Sequence, residues 1–369
     1  MAFSFSFAGD DIEEDHQSPA QPPADPSNPT TARSSSTAGA FPVQGKPLLP
    51  PAQHDLDGIL SRLPSKIAFG VLDVHLPDGR TLHIPRRELW DVRVQLMAEE
   101  NTDNASEAEA GLGEHDVKTG IYEGGFKSWE SSVDLVKVLA SERVAEILKQ
   151  DPSVVVELGC GTALPSLALF QWALSERTSE QKQPLVLALA DYNPTVLYLV
   201  TLPNLILAWA FQQREQSPIL EGAFTPDDEL ELTPEVLQAF KESLASNGIA
   251  LSFFSGAWSS EFVDLLYQSG VPAGLADATK TLVLGSETIY SPFALESFSG
   301  TLLSILEREG RERPNGHARA LVAAKRLYFG VGGSLDDFVD KMKALGVAVG
   351  TLFEETQGVH RGVVECRLS

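Results

Sequence analysis

Cysteine is nearly absent: Cys160 and Cys366 are the only two in 369 residues. A disulfide framework is thereby excluded, and a reducing intracellular compartment is the expected setting. Basic residues are also few, 28 Lys and Arg against 51 Asp and Glu, for a formal net charge of −23. That balance argues against affinity built on phosphate neutralisation, so direct nucleic-acid binding is not expected. It suits a basic protein partner, and it equally suits acidic loops that only keep the chain soluble. No run of about 18 uninterrupted apolar residues occurs, so no membrane span is expected. The start, Met-Ala-Phe-Ser-Phe-Ser-Phe-Ala, has no basic n-region and does not read as a secretory signal. Seven scattered histidines and two isolated cysteines give no metal-ligand spacing.

What is present is a 43% apolar chain, enough for a sizeable core. Residues 1–62 read as a tail: 9–53 are rich in Pro, Ser, Thr, Ala, Gln and Asp, a composition that cannot offset its ordering entropy. Phe3, Phe5 and Phe7 alternate as in a strand. Residues 63–116 read as an extension, with a hairpin over 66–85 turning at Pro77-Asp78-Gly79 and a mobile acidic loop over 99–116. Helical spacing follows over 131–149. From Val154 the pattern alternates strand and helix to the end, with an acidic, Pro-rich insertion over 212–248 carrying its own helix near 234–245. Two closing strands, near 347–353 and 361–368, suggest a final antiparallel strand. The fold class expected for 117–369 is α/β, a doubly wound sheet covered on both faces.

The chemistry gathers at strand ends. Val154-Val-Val-Glu157-Leu-Gly159-Cys-Gly161 closes a strand and opens a helix, and its glycines let backbone approach a ligand. Leu164 stands where a pyrophosphate-binding G-x-G-x-x-G needs its third glycine, and there is no G-x-x-x-x-G-K-[ST]. A ligand without a pyrophosphate is favoured. Asp191, in Asp191-Tyr192-Asn193 at the end of the second strand, is placed to accept from ribose hydroxyls. Asn193 or Thr195 suits a helix cap there equally well. Trp258 after the third strand is able to stack on adenine, or to be a core tryptophan. Gly120–Glu130, with Tyr122 and Trp129, suits a lid. Ser286-Glu287-Thr288-Ile289-Tyr290 ends the fourth strand and should face the reacting centre, and Tyr328-Phe-Gly-Val-Gly-Gly333 follows the fifth.

Together the Gly120–Glu130 cluster, the glycine turn, Asp191–Asn193 with Thr201-Leu-Pro-Asn204, Phe254–Trp258, SETIY and YFGVGG resemble the eukaryotic histidine protein methyltransferases. The resemblance covers about 117–369 and extends weakly to 66–97 and the Phe-alternating start. It implies a Rossmann-like, seven-stranded class I sheet in the order 3-2-1-4-5-7-6, with S-adenosylmethionine as cofactor. It implies methylation of one histidine of a large-subunit ribosomal protein, in the cytoplasm and nucleus, by a monomer. Carried over, Trp129, Glu157, Gly159, Gly161, Asp191, Asn193, Trp258 and Ser286 hold the cofactor, and Glu287 and Tyr290 are catalytic. Ala163-Leu-Pro165 departs from the family run and should distort the helix start. Two other readings stand beside this one: a lysine methyltransferase of the same branch, and a non-catalytic cofactor-binding chaperone for a basic ribosomal protein.

Overall fold

The computed structural model describes residues 42, 45, 47–100, 125–176, 182–270, 277–330 and 332–368. The Phe-alternating start, most of the acidic loop and the Gly120–Gly124 part of the expected lid lie outside the described residues. Thr37–Ser369 forms one compact unit.

The first elements are β1 (Ala52–His54), α1 (Leu56–Leu60), β2 (Lys66–His75), β3 (Thr81–Arg87) and α2 (Leu89–Glu100). Next come α3 (Glu130–Ser141) and α4 (Val144–Gln150), then β4 (Ser153–Leu158), α5 (Leu164–Glu176) and β5 (Leu185–Asp191). A long helix follows as α6 (Pro194–Val196), a π-helical turn over Leu197–Thr201 and α7 (Leu202–Gln213). The insertion supplies α8 (Pro218–Glu221), β6 (Glu229–Glu231) and α9 (Pro234–Ser246). The rest is β7 (Ile249–Ser255), α10 (Ser260–Leu265), β8 (Lys280–Ser286), α11 (Pro292–Glu312), β9 (His317–Lys325), α12 (Leu335–Ala344), β10 (Val347–Glu355) and β11 (Arg361–Leu368).

The main sheet runs β1-β7-β5-β4-β8-β9-β11-β10. Leaving β1 aside, this is the expected 3-2-1-4-5-7-6 order. β4 is parallel to both β5 and β8, and β11 enters antiparallel between β9 and β10. Strand side chains alternate between two cores. Leu185, Leu187 and Leu189 of β5 join one core, and Val186, Ala188 and Ala190 join the other. Burial on both faces is why these strands read as continuous apolar runs. Pro194–Gln213 is long and apolar enough to cross a membrane, but nearly all of it is buried inside the protein, as a core helix.

The structure corrects two expectations and adds to two others. The sheet has eight strands, because residues 52–54, assigned to the tail, pair antiparallel with Ser255, Phe254 and Phe253; α1 also lies in that assigned tail. A three-residue strand carries no readable periodicity, so composition misled. The helix over 131–149 is two helices, broken where Arg143 takes φ 52°. The helix that follows β5 in the strand–helix alternation contains the π turn. The insertion builds core: β6 pairs with β2 and completes a β3-β2-β6 sheet, with Leu230 fully buried.

Leu230→Ala should therefore destabilise the protein by about 2–4 kcal/mol. Urea unfolding checks this, and a dispensable loop would give no change.

Candidate active site

The site lies at the carboxyl ends of β4, β5, β7, β8 and β9, where the strand order reverses beside β4. Ligands of doubly wound sheets bind at such a switch. After β4 the chain turns sharply: Gly159, Gly161 and Ala163 all have positive φ, 69°, 52° and 58°. Ala163, first residue of the Ala-Leu-Pro run, is one of the non-glycine residues with positive φ, and α5 begins directly after it at Leu164. A Cβ on Gly159 would stand 2.6 Å from Thr288 Cγ2 and 3.5 Å from the Trp258 ring. On Gly161 it would meet the Gly125 backbone at 3.1 Å. The turn thus needs its glycines for both conformation and close approach.

Neighbouring side chains satisfy the turn's backbone groups. Asp191 accepts from Gly161 N–H at 3.1 Å and from Asn193 N–H at 3.0 Å. Thr201 Oγ1 donates to the Gly161 carbonyl at 2.7 Å, and Asn204 Nδ2 donates to the Thr162 carbonyl at 3.0 Å. The π turn carries Thr201 and leads directly into α7, which carries Asn204, in keeping with the frequency of such turns at functional sites. Asn204 Oδ1 in turn accepts from Arg87 N–H at 2.8 Å, tying β3 to the turn.

Two of the expected cofactor residues have local structural work. The Glu157 carboxylate is buried and accepts from the backbone N–H and hydroxyl of Ser166, in the first turn of α5. Burial pushes its pKa up to about 8, with nearby Asp191 adding to the rise. Asn193 caps α6, its side chain accepting from Thr195 N–H at 3.0 Å. Trp258 lies with its ring edge-on to Phe298, centroids 5.7 Å apart, beside Gly159. Its Nε1 and the Ser286 hydroxyl are enclosed without a hydrogen-bond partner among the described residues.

At the other end of the site, Glu287 takes φ 57°, a strained conformation for glutamate. Its N–H donates to the Ala323 carbonyl at 3.0 Å. Its carboxylate accepts from Ser131 Oγ and, at 2.5 Å, from Tyr328 OH. Desolvation raises the Glu287 pKa despite those two donors. The Lys325 ammonium stands 5.3 Å from the Trp129 ring centroid and 5.8 Å from that of Tyr328. Ser128 Oγ meets Thr162 Oγ1 at 2.8 Å, so the described part of the expected lid, 125–130, is fastened to the glycine turn. Tyr290 belongs to the loop that accepts Gly333 N–H at its carbonyl (3.2 Å), which joins SETIY to YFGVGG.

No protein-family model matches the chain. It is 37% identical over 355 residues to histidine protein methyltransferase 1 of Saccharomyces cerevisiae, across 92% of this chain and 89% of that protein. The chain belongs to the histidine protein methyltransferase family. The Schizosaccharomyces pombe protein of the same name is 34% identical, across 84% of this chain and 83% of its own. A solved magnesium protoporphyrin IX methyltransferase from Synechocystis, 13% identical, covers 66% of this chain and 86% of its own with a TM-score of 0.30, too distant to argue from.

The enzyme is thus a methyltransferase whose cofactor is S-adenosylmethionine. The residues fit that group: a glycine turn open to close approach, a carboxylate at the end of β5, and the orphaned Trp258 Nε1 and Ser286 Oγ. Three members of the methyltransferase's site were not singled out as site residues in the sequence. Ser131 and Tyr328 reach Glu287 from 156 and 41 residues away, and Thr201 was noted only as part of the family pattern. No local signal announces Ser131; the aromatic of YFGVGG was the one hint for Tyr328.

The Glu157 shift has a stability consequence. Its folded pKa of about 8 lies above the ordinary 4.5, so the folded state holds a proton that the unfolded chain has released. Its contribution is fully present below about pH 4.5 and is lost as pH rises through about 8. The melting temperature of Glu157→Gln should fall less than that of the unsubstituted protein between pH 5 and pH 9; parallel curves would refute this.

Proposed function

We propose that the enzyme methylates one imidazole nitrogen of a histidine in a basic large-subunit ribosomal protein, acting as a monomer in the cytoplasm and nucleus. The observation that carries the catalytic part is the Glu287 carboxylate, clamped by Ser131 and Tyr328 and followed by Thr288, whose side chain lies against Gly159. The acceptor rests on the family resemblance and on the net charge of −23, which suits a basic protein.

Gly159 and Gly161 would line the methionine side of the cofactor, Asp191 its ribose, Trp258 its adenine, and Trp129 and Ser286 the enclosing walls. Bound there, S-adenosylmethionine would supply an electrophilic methyl for the imidazole lone pair, with S-adenosylhomocysteine as the leaving group and the ring's other N–H proton lost afterwards to give neutral methylhistidine. A neutral imidazole is already the main form at pH 7, so attack needs no strong base. Glu287 accepts the ring's other N–H, fixes its plane and stabilises the charge that develops on it. Ser131 and Tyr328 hold that carboxylate, and Tyr290 flanks the ring.

The surroundings suit a protein acceptor rather than a small one. Phe329, beside Tyr328, is 88% exposed, and Leu327 and Val359 are exposed near it, where Arg326 N–H bonds the His360 carbonyl at 2.8 Å. Beside Phe329, Tyr328 N–H donates to the Gly333 carbonyl at 3.0 Å and Gly332 N–H donates to that of Tyr328 at 3.2 Å. Aromatic side chains, Phe among them, are enriched where proteins meet.

Large-subunit ribosomal proteins from cells lacking the enzyme, incubated with radiolabelled S-adenosylmethionine and hydrolysed, should yield methylhistidine on one protein. Methyllysine, or no label, would overturn the reading. Glu287→Gln should lower kcat by about 10²-fold, as loss of a charge-stabilising group does, with S-adenosylhomocysteine affinity unchanged; an unchanged kcat would remove Glu287 from the mechanism. Phe329→Ala should raise KM for the protein acceptor by about 10-fold or more, as loss of an interface anchor does, and leave KM for the cofactor alone. Equal shifts in both would sink the anchor role.

A further inference from the structure

The segment ahead of the hairpin is joined to the wall that carries Trp258. Ala52, Gln53 and His54 pair with Ser255, Phe254 and Phe253, the last residues of β7. His54 Nε2 lies 2.7 Å from Ser255 Oγ. The chain before β1 continues across the following loop. Ala257 N–H donates to the Leu49 carbonyl at 2.9 Å, and Leu49 N–H donates to the Tyr192 hydroxyl at 3.0 Å. Gly256 N–H donates to the Tyr192 carbonyl at 3.1 Å. One stretch of chain thus bridges Tyr192, which directly follows Asp191 at the end of β5, and the loop after β7, which carries Trp258.

The fit at the centre of this bridge is close. Gly256 has φ 95°, and a Cβ there would stand 2.2 Å from the Pro50 carbonyl oxygen and 2.9 Å from Pro51 Cα. Only glycine permits both the backbone angle and the approach. The bridging stretch, Pro47-Leu-Leu-Pro-Pro51, holds three prolines. Their fixed φ keeps it extended, so little conformational entropy is lost when it docks.

We propose that residues 47–54 are a strap that positions Asp191 and Trp258 and thereby sets cofactor affinity. This rests on the reading that those two residues hold S-adenosylmethionine. The strap lies on the β7 side of the sheet, away from the Glu287 clamp beyond β8. Loosening it should weaken cofactor binding while leaving transfer at saturating cofactor intact.

The test uses full-length variants and S-adenosylhomocysteine as probe, with Kd by calorimetry and KM and kcat for S-adenosylmethionine. Leu49→Pro removes one N–H and Tyr192→Phe one hydroxyl; each should raise Kd about fivefold, the loss of one hydrogen bond. Gly256→Val, which displaces Pro50, should raise it further. In all three kcat at saturation should stay within about twofold, since losing ground-state and transition-state binding equally moves KM alone. If Gly256→Val fails to fold, the other two decide. Unchanged Kd in both, or a fall in kcat matching the rise in KM, overturns the strap. Trp258→Ala, measured alongside, separates the two readings. Weaker binding there with unaffected strap variants defeats the strap alone, whereas unaffected binding in Trp258→Ala defeats the cofactor assignment and the strap with it. Leu49→Pro should add less in the Trp258→Ala background than alone, because coupled residues are not additive.

Discussion

Backbone groups at the turn after β4 have neither helix nor ladder to bond them, and a buried amide or carbonyl left alone costs about 1–3 kcal/mol. The surrounding architecture supplies the partners. Asp191 takes the Gly161 N–H, Thr201 and Asn204 reach the carbonyls of Gly161 and Thr162, and Cys160 N–H bonds the Ala190 carbonyl at 2.9 Å. These contacts come from the end of β5, the π turn and the start of α7. The glycine turn therefore keeps its shape only while the neighbouring strand and the core helix are in place. Arg87, through Asn204 and the Leu199 carbonyl, extends the requirement to the hairpin outside the sheet.

Much of this was legible in the chain and some was not, for physical reasons. Strands such as β5 are buried on both faces, so they stand out as apolar runs bounded by polar turns. The glycine turn and Asp191 were legible by position, one closing the first strand of the alternation and the other ending the second, whereas the bonds of Asp191 to the Gly161 and Asn193 N–H groups were not. β1 was hidden, since Ala-Gln-His has no pattern and its partners, Phe253–Ser255, lie about 200 residues later. The π turn was hidden because its helix is apolar on every side, which leaves no face to define its period. Glu157 was readable as part of a motif, but the direction of its carboxylate was not. That depends on Ser166 standing at the start of α5.

The acid distribution illustrates a further limit of composition. A net charge of −23 speaks of partners and solubility but not of place. Glu309, for example, is buried and accepts from Tyr267 OH, Thr281 Oγ1 and Arg313, so it serves the fold. Glu130 and Asp134 are engaged by Arg361, which joins α3 to β11. Each such carboxylate offers less to a basic partner than the formal count suggests.

Glu287 shows how the fold and the chemistry are linked. A left-handed glutamate costs on the order of 1–3 kcal/mol and persists only where its surroundings over-determine it. Here the determination comes from three places: the Ala323 carbonyl on β9, Ser131 in the first turn of α3, and Tyr328 in the loop after β9. Because α3 packs against both β9 and β11, those donors share one rigid frame. The carboxylate cannot relax to an ordinary backbone angle without giving up both hydroxyl partners inside an enclosed site. Its direction is thus set before any acceptor arrives, which is the condition under which one charge, held still and shielded from water, is most effective at stabilising another that is about to form.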